Sequence, residues 1–144
     1  MAEAIKQANA ALELDEIPIG AIIVYQGKIV ARAHNQRHLL KDPTAHAEII
    51  ALTQAAAYLG DWRLTGCTMY VTLEPCPMCA GALVNARLDR LVFGPADPKA
   101  GACGSLYNIV DDSRLNHRMA VVSEFMAEPC RLLLQNFFTQ KRVK

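Results

Sequence analysis

Apolar residues recur at helical spacing over Met1–Leu14, where Ile5, Ala8 and Leu12 share one face of an expected amphipathic helix. Pro18 and Gly20 end that pattern. Ile19–Tyr25 and Lys28–Ala33 are strand-like runs, and Gln26-Gly27 between them predicts a hairpin. The segment Asn35–Thr44 is polar, with Thr44 placed to cap a helix running from Ala45 to about Tyr58. Ile49, Leu52, Ala56 and Leu59 would lie on its packed side. Gly60 and Gly66 bracket a turn, and Cys67–Leu73 reads as a strand that runs into Glu74-Pro75-Cys76-Pro77. Prolines there stop a strand and can open a helix, expected over Met78–Asn85. A short strand Arg90–Phe93, a glycine-rich loop Gly94–Gly104, a strand Met119–Ser123 and a helix Met126–Gln140 complete the chain. That last helix is apolar at Leu133, Leu134, Phe137 and Phe138. Strands alternating with helices imply an α/β sandwich around one sheet.

The chain has 144 residues, which fits one domain over 1–144 with a core that needs no staples. Apolar residues make up 52% and charged residues 20%, a globular rather than a disordered composition. No apolar run approaches the roughly 18 residues of a membrane helix, and Met1-Ala2-Glu3-Ala4 does not open a secretory signal. The five cysteines are an odd count, which argues against a disulfide framework and for a reducing, cytoplasmic setting. Only Cys76 and Cys79 are closely spaced. Cys67, Cys103 and Cys130 read as small buried hydrophobes.

Two short motifs carry the candidate chemistry. His46-Ala47-Glu48 opens one helix, and Pro75-Cys76-Pro77-Met78-Cys79 lies where a strand meets the next. One imidazole and two thiols are a donor set that zinc prefers. Cys76 and Cys79 are three apart, so one helical turn brings both sulfurs to the same side. At a helix N-terminus the free N–H groups and the dipole favour thiolate, the form that binds metal. A structural zinc site is closed by four protein ligands, whereas a catalytic one keeps three plus water. This sequence offers three, and Glu48 is then better suited to carry a proton beside that water than to act as a ligand. Either motif alone is weak, since a helical His is commonly structural and a CxxC pair can be redox-active. HxE followed by PCxxC within about 30 residues is the joint signature of zinc-dependent nucleobase deaminases.

The chain resembles the cytidine deaminase-like superfamily and, more narrowly, the bacterial tRNA-specific adenosine deaminases. The resemblance is carried by Asp42-Pro43-Thr44-Ala45-His46-Ala47-Glu48, Tyr70–Gly81, Phe93–Leu106 and Asn116-His117-Arg118, and covers nearly the whole chain. It implies a three-layer α/β/α sandwich with a mixed five-stranded sheet, one Zn2+ per subunit and a homodimer. It further implies hydrolysis of the wobble adenosine of a tRNA anticodon stem-loop to inosine, with release of ammonia. His46, Cys76 and Cys79 match the family's metal ligands and Glu48 its proton shuttle. Asn35 matches the position that contacts the target nucleotide, and Asp97 lies in the loop placed near the flanking nucleotides. Because adenosine in a stacked stem is out of reach, the base must be splayed into a pocket at a cost of about a few kcal/mol.

Other residues have plainer readings. Glu74 is expected to anchor the strand-to-helix turn, because the shuttle role is filled. His34, His38 and His117 stay open between RNA contact and solvated or capping roles. Arg37 and Lys41 could meet phosphates, although most exposed basic residues are only solvated. Tyr58 and Trp62 are read as packing, and Phe137 and Phe138 as core or subunit contact. A guanine or cytosine deaminase acting on free bases would use the same zinc site, and a non-catalytic zinc module would call for a fourth ligand and no Glu48. The net charge of +1 argues against a strongly basic nucleic-acid binder, yet residues 1–16 carry −3 and residues 131–144 carry +4. A local positive patch is sufficient for a small loop, which predicts a shallow salt dependence.

Overall fold

The structure, a computed structural model, describes residues 1–143; Lys144, part of the basic C-terminal stretch, lies outside them. Helix α1 (Ala2–Glu13) leads into strands β1 (Gly20–Tyr25) and β2 (Lys28–His34). Gln26 and Gly27 both take positive φ (51° and 75°) in the connection between these strands, as the tight turns that suit antiparallel strand twist require. A four-residue helix α2 (Arg37–Leu40) lies in the polar segment Asn35–Thr44, where the sequence pattern places no element. Then come α3 (Ala47–Leu59), β3 (Cys67–Val71), α4 (Pro77–Asn85) and β4 (Arg90–Phe93). After a 3-10 turn at Ile109–Asp111, β5 (Ala120–Val122) and α5 (Ala127–Val143) end the fold.

The five strands form one mixed sheet in the order β2-β1-β3-β4-β5. β1 is antiparallel to both β2 and β3, while β3, β4 and β5 run parallel. Successive side chains of a strand alternate between faces. Ala21 and Ile23 of β1 join Met69, Val71, Leu91 and Phe93 in a buried cluster with Ala47, Ala51 and Ala55 of α3 and Leu83 of α4. Gly20, on the other face, meets α1: a Cβ there would stand 2.1 Å from the Ala4 carbonyl oxygen and 2.5 Å from the Ala8 nitrogen.

Several expected packing details differ. The buried face of α1 is Ala4, Ala8 and Ala11, not Ile5 and Leu12, because only small side chains let the helix backbone lie flush on Gly20. The buried residues of α3 are Ala47, Glu48, Ala51 and Ala55, while Ile49, Leu52, Ala56 and Leu59 form its half-buried flanks. Thr44 does not cap α3. Its hydroxyl bonds Asp42 at 2.8 Å and the helix starts later, with His46 as the N-cap residue. Tyr58 and Trp62 do not pack inside: they are 62% and 57% exposed, and the Arg63 guanidinium lies 4.7 Å over the Trp62 ring. Cys67, Cys103 and Cys130 are buried as expected, and none of the five cysteines is paired. No helix among the described residues is long and apolar enough to cross a membrane.

Candidate active site

The site lies beyond the C-terminal end of β3, where ligands settle in open α/β sheets. Two helices start there. His46 is the extended N-cap residue of α3, and Cys76 holds the same place on α4, with Pro77 at the first helical position. Proline is preorganised for that position and has no N–H to leave unpaired. One turn later, Cys79 faces back. Sγ of Cys76 and Sγ of Cys79 lie 3.6 Å and 3.4 Å from His46 Nδ1. The three donor atoms all fall within 4.8 Å of one another. Tetrahedral zinc, with bonds of about 2.3 Å to sulfur and about 2.1 Å to nitrogen, spaces S and N by about 3.6 Å. The donor set and its spacing therefore fit zinc, and among the described residues no fourth His, Cys or carboxylate joins the group.

The electrostatics suit a cation. The Cys79 thiol, hydrogen-bonding to Cys76, and then His46 hold the Cys76 thiol down at about 4, against the opposing effect of burial. Cys79 is pushed far up as the donor of that bond and by burial. His46 is raised chiefly by its hydrogen bond to Cys76. Glu48, in the first turn of α3, is only 5% exposed. Burial is the main cause that raises its carboxyl pKa, which equips it to hold and return a proton.

His46, Glu48 and Cys76 line one cavity of about 500 Å³ together with Asn35, Arg37, Asp97, Lys99, Phe138 and Arg142. Asn35 and Asp97, set out from the sequence as substrate-contacting, stand on opposite walls. Asn35 follows β2, its Oδ1 accepting the Arg37 N–H at 3.0 Å. Asp97 sits in the loop after β4, its Oδ1 accepting the N–H groups of Lys99 and Ala100 at 3.0 Å and 3.3 Å. Of Phe137 and Phe138, read as core or subunit contact, Phe137 is buried, while Phe138 is not in the core but exposed at the cavity rim. The histidines outside the trio divide. His117 donates from Nε2 to the Leu88 carbonyl at 2.6 Å, His34 Nδ1 lies 3.1 Å from the Asn35 carbonyl, and His38 is exposed.

Glu74 does more than anchor a turn. One oxygen accepts the Asp97 N–H at 2.9 Å and the Ser105 hydroxyl, the other the Cys103 and Ser105 N–H groups at 2.9 Å and 3.1 Å. Burial pushes its pKa up, but these donors together outweigh it and hold the carboxyl below its ordinary value. Gly101 is required beside it, since a Cβ there would approach the carboxylate to 2.3–2.4 Å. The strand end that leads to Cys76 and Cys79 and the loop that carries Asp97 are therefore one hydrogen-bonded unit.

The sequence profile of the MafB19-like deaminase family matches residues 1–142. A tRNA-specific adenosine deaminase of Bacillus subtilis (strain 168) is 50% identical over 144 residues, covering 100% of this chain and 89% of the relative. A solved structure from work on A-to-I editing by tRNA:A34 deaminases at the wobble position of transfer RNA superposes with a TM-score of 0.90 at 42% identity. It covers 93% of this chain and 97% of that one. A guanine deaminase of Bacillus subtilis superposes with a TM-score of 0.66 at 35% identity, over 72% of this chain and 67% of that one.

Proposed function

Since the chain belongs to the MafB19-like deaminase family and to the tRNA-specific adenosine deaminases within it, we propose that it converts adenosine 34 of a tRNA anticodon to inosine. Water adds, ammonia leaves, and His46, Cys76 and Cys79 hold one Zn2+. The observation that carries this reading is the trio of donors with Glu48 beside it, opening on a cavity of about 500 Å³ walled by Asn35 and Asp97.

Bound zinc supplies the acidity that brings the pKa of a coordinated water towards neutrality. The protein's own groups do the rest. Glu48 takes the proton from the attacking water and delivers it to the purine ring nitrogen next to C6; it then takes the proton of the new C6 hydroxyl, which becomes the carbonyl of inosine, and passes it to the departing amine. Asn35, with Oδ1 engaged by Arg37 N–H, offers its side-chain N–H2 to an acceptor on the nucleotide. Asp97 and the loop that Glu74 holds meet the nucleotides beside the target. Arg37, Lys99 and Arg142, all at the cavity, are placed to face phosphates.

The test is turnover on an anticodon stem-loop bearing adenosine at the wobble position, run beside free guanine and cytosine. Inosine in the RNA supports the reading. Turnover of a free base alone would sink it in favour of the guanine-deaminase alternative, which the 35% identical neighbour keeps in view. The whole chain acts as one catalytic domain and pairs as a homodimer in this reading, supported by the exposed apolar residues Leu106, Tyr107 and Leu115 of one loop. Sedimentation at a monomer's mass would remove the dimer. Five unpaired cysteines support a reducing, cytoplasmic compartment.

A further inference from the structure

Among the described residues, five polar side chains are buried: Glu16, Asn35, Glu48, Thr72 and Glu74. Asn35 and Glu48 face the cavity, Thr72 accepts the Gly20 N–H, and Glu74 holds the Asp97 loop. Glu16 is only 1% exposed, outside the cavity lining, in the connection between α1 and β1. It is in no ion pair among the described residues. Instead its two oxygens accept the His38 N–H at 3.1 Å and the Leu39 N–H at 2.8 Å. Burying a carboxylate is costly unless such donors compensate it, so its presence here calls for a reason.

The reason lies in α2. A helix of four residues has no stability of its own. Its first three N–H groups are taken by side chains, Arg37 by Asn35 Oδ1 and His38 and Leu39 by Glu16, while Leu40 closes the first helical bond to the carbonyl of the N-cap residue Gln36 at 3.0 Å. Glu16 thus supplies two of the three side-chain acceptors that meet the N–H groups of this turn. The turn in turn holds the Arg37 N–H against Asn35. With its oxygen engaged there, the Asn35 carboxamide has one orientation, N–H2 towards the cavity.

We propose that Glu16 is a positioning residue for the deamination: by mooring α2 it sets the orientation of Asn35, and so the grip on the target nucleotide, without touching substrate. This rests on the reading of Asn35 as a substrate-binding group. Glu16 and Glu74 then play matching parts, each a buried carboxylate that ties one wall of the cavity to the scaffold.

The variant is Glu16→Gln, which keeps the shape but turns one acceptor into a donor facing an N–H. With zinc-loaded enzyme and the stem-loop substrate, KM rises about tenfold, the factor that goes with one such lost bond. Zinc content is unchanged, kcat stays within about twofold, and the His38 and Leu39 amides exchange faster. In an Asn35→Ala background, Glu16→Gln adds little to KM, because it acts through Asn35. If Glu16→Gln does not fold, Glu16→Asp keeps the charge, shortens the reach and shifts KM the same way. An unchanged KM, full additivity with Asn35→Ala, or a parallel fall of zinc content, kcat and thermal stability would overturn the proposal. If the wild type fails to deaminate the stem-loop, the proposed function falls instead. The exchange rates at His38 and Leu39 then still decide whether Glu16 moors α2.

Discussion

Removing the Glu74 carboxylate tests how the site is held together. Glu74 is 3% exposed and receives three backbone N–H groups and one hydroxyl. In Glu74→Ala those three amides lose their acceptor. Each unsatisfied buried donor costs about 1–3 kcal/mol. Asp97 and Ser105 are less buried than Cys103, so the expected total is about 3–6 kcal/mol, the lower part of the summed range. At roughly 2–4 °C per kcal/mol for a chain of this size, Tm falls by roughly 6–24 °C. Glu74→Gln costs less. Turned with its oxygen towards Cys103 and Ser105, the amide keeps both of those bonds and opposes only the Asp97 N–H, a loss of about 1–3 kcal/mol. The assay is thermal unfolding with zinc in fixed excess, since bound metal shifts Tm by mass action. Gly101 provides an internal check. Gly101→Ala drives its new methyl into the Glu74 carboxylate and destabilises the wild type, but the clash is absent once Glu74 is alanine. A Tm drop of under about 2 °C in Glu74→Ala, or strict additivity of the two substitutions, would refute the anchoring role.

The remaining expectations can be checked with standard measurements. In the proposed mechanism Glu48 carries the proton and holds no metal, so Glu48→Gln retains zinc by metal analysis but lowers kcat by about 10²–10⁴. Gly20→Ala places a methyl 2.1 Å from the Ala4 carbonyl oxygen, so urea unfolding shows a loss of about 1–3 kcal/mol as α1 is lifted from the sheet. The folded pKa of Glu74 lies below its ordinary 4.5. Its charge-linked contribution is therefore fully present above about pH 4.5 and is lost as pH falls through the folded value. The stability gap between wild type and Glu74→Gln narrows correspondingly on the acid side, read from unfolding curves at stepped pH. Three cations, Arg37, Lys99 and Arg142, line the cavity. Stem-loop affinity then falls with a log–log salt slope of about −2, and a slope near about −10 would contradict so small a phosphate footprint.

What could be read from the sequence was what local pattern encodes. The order of the nine main elements follows from hydrophobic periodicity and from the prolines and glycines that interrupt it. His46-Ala47-Glu48 and Pro75-Cys76-Pro77-Met78-Cys79 announce a zinc donor set because ligand spacing is itself a local property. The helix faces were harder. Ile5 and Leu12 outweigh alanine on any hydrophobicity count, yet α1 buries Ala4, Ala8 and Ala11, because a glycine on a strand formed later in the chain decides the approach distance. Thr44 is a good cap residue by type, but Asp42 engages its hydroxyl. That displacement leaves His46 itself at the helix boundary, where its ring can turn to the metal ligands.

The least legible residues are those that hold the walls. Glu16 reaches amides 22 and 23 residues away, and Glu74 reaches amides 23, 29 and 31 residues away. Glu74 reads from its place before Pro75 as a turn anchor, but nothing in the sequence points to its distant amides, and nothing near Glu16 marks it, since an acid just past a helix end is ordinarily solvated. Burial gives the signal, because a carboxylate does not leave water without donors to meet it. Here each set of donors lies in a segment with little regular hydrogen bonding of its own: a four-residue helix on one side and a glycine-rich loop on the other. A pocket that must admit a splayed nucleotide needs such irregular walls, since regular strands and helices would close it. Buried carboxylates give those walls a fixed place, tying the backbone where the sheet cannot reach.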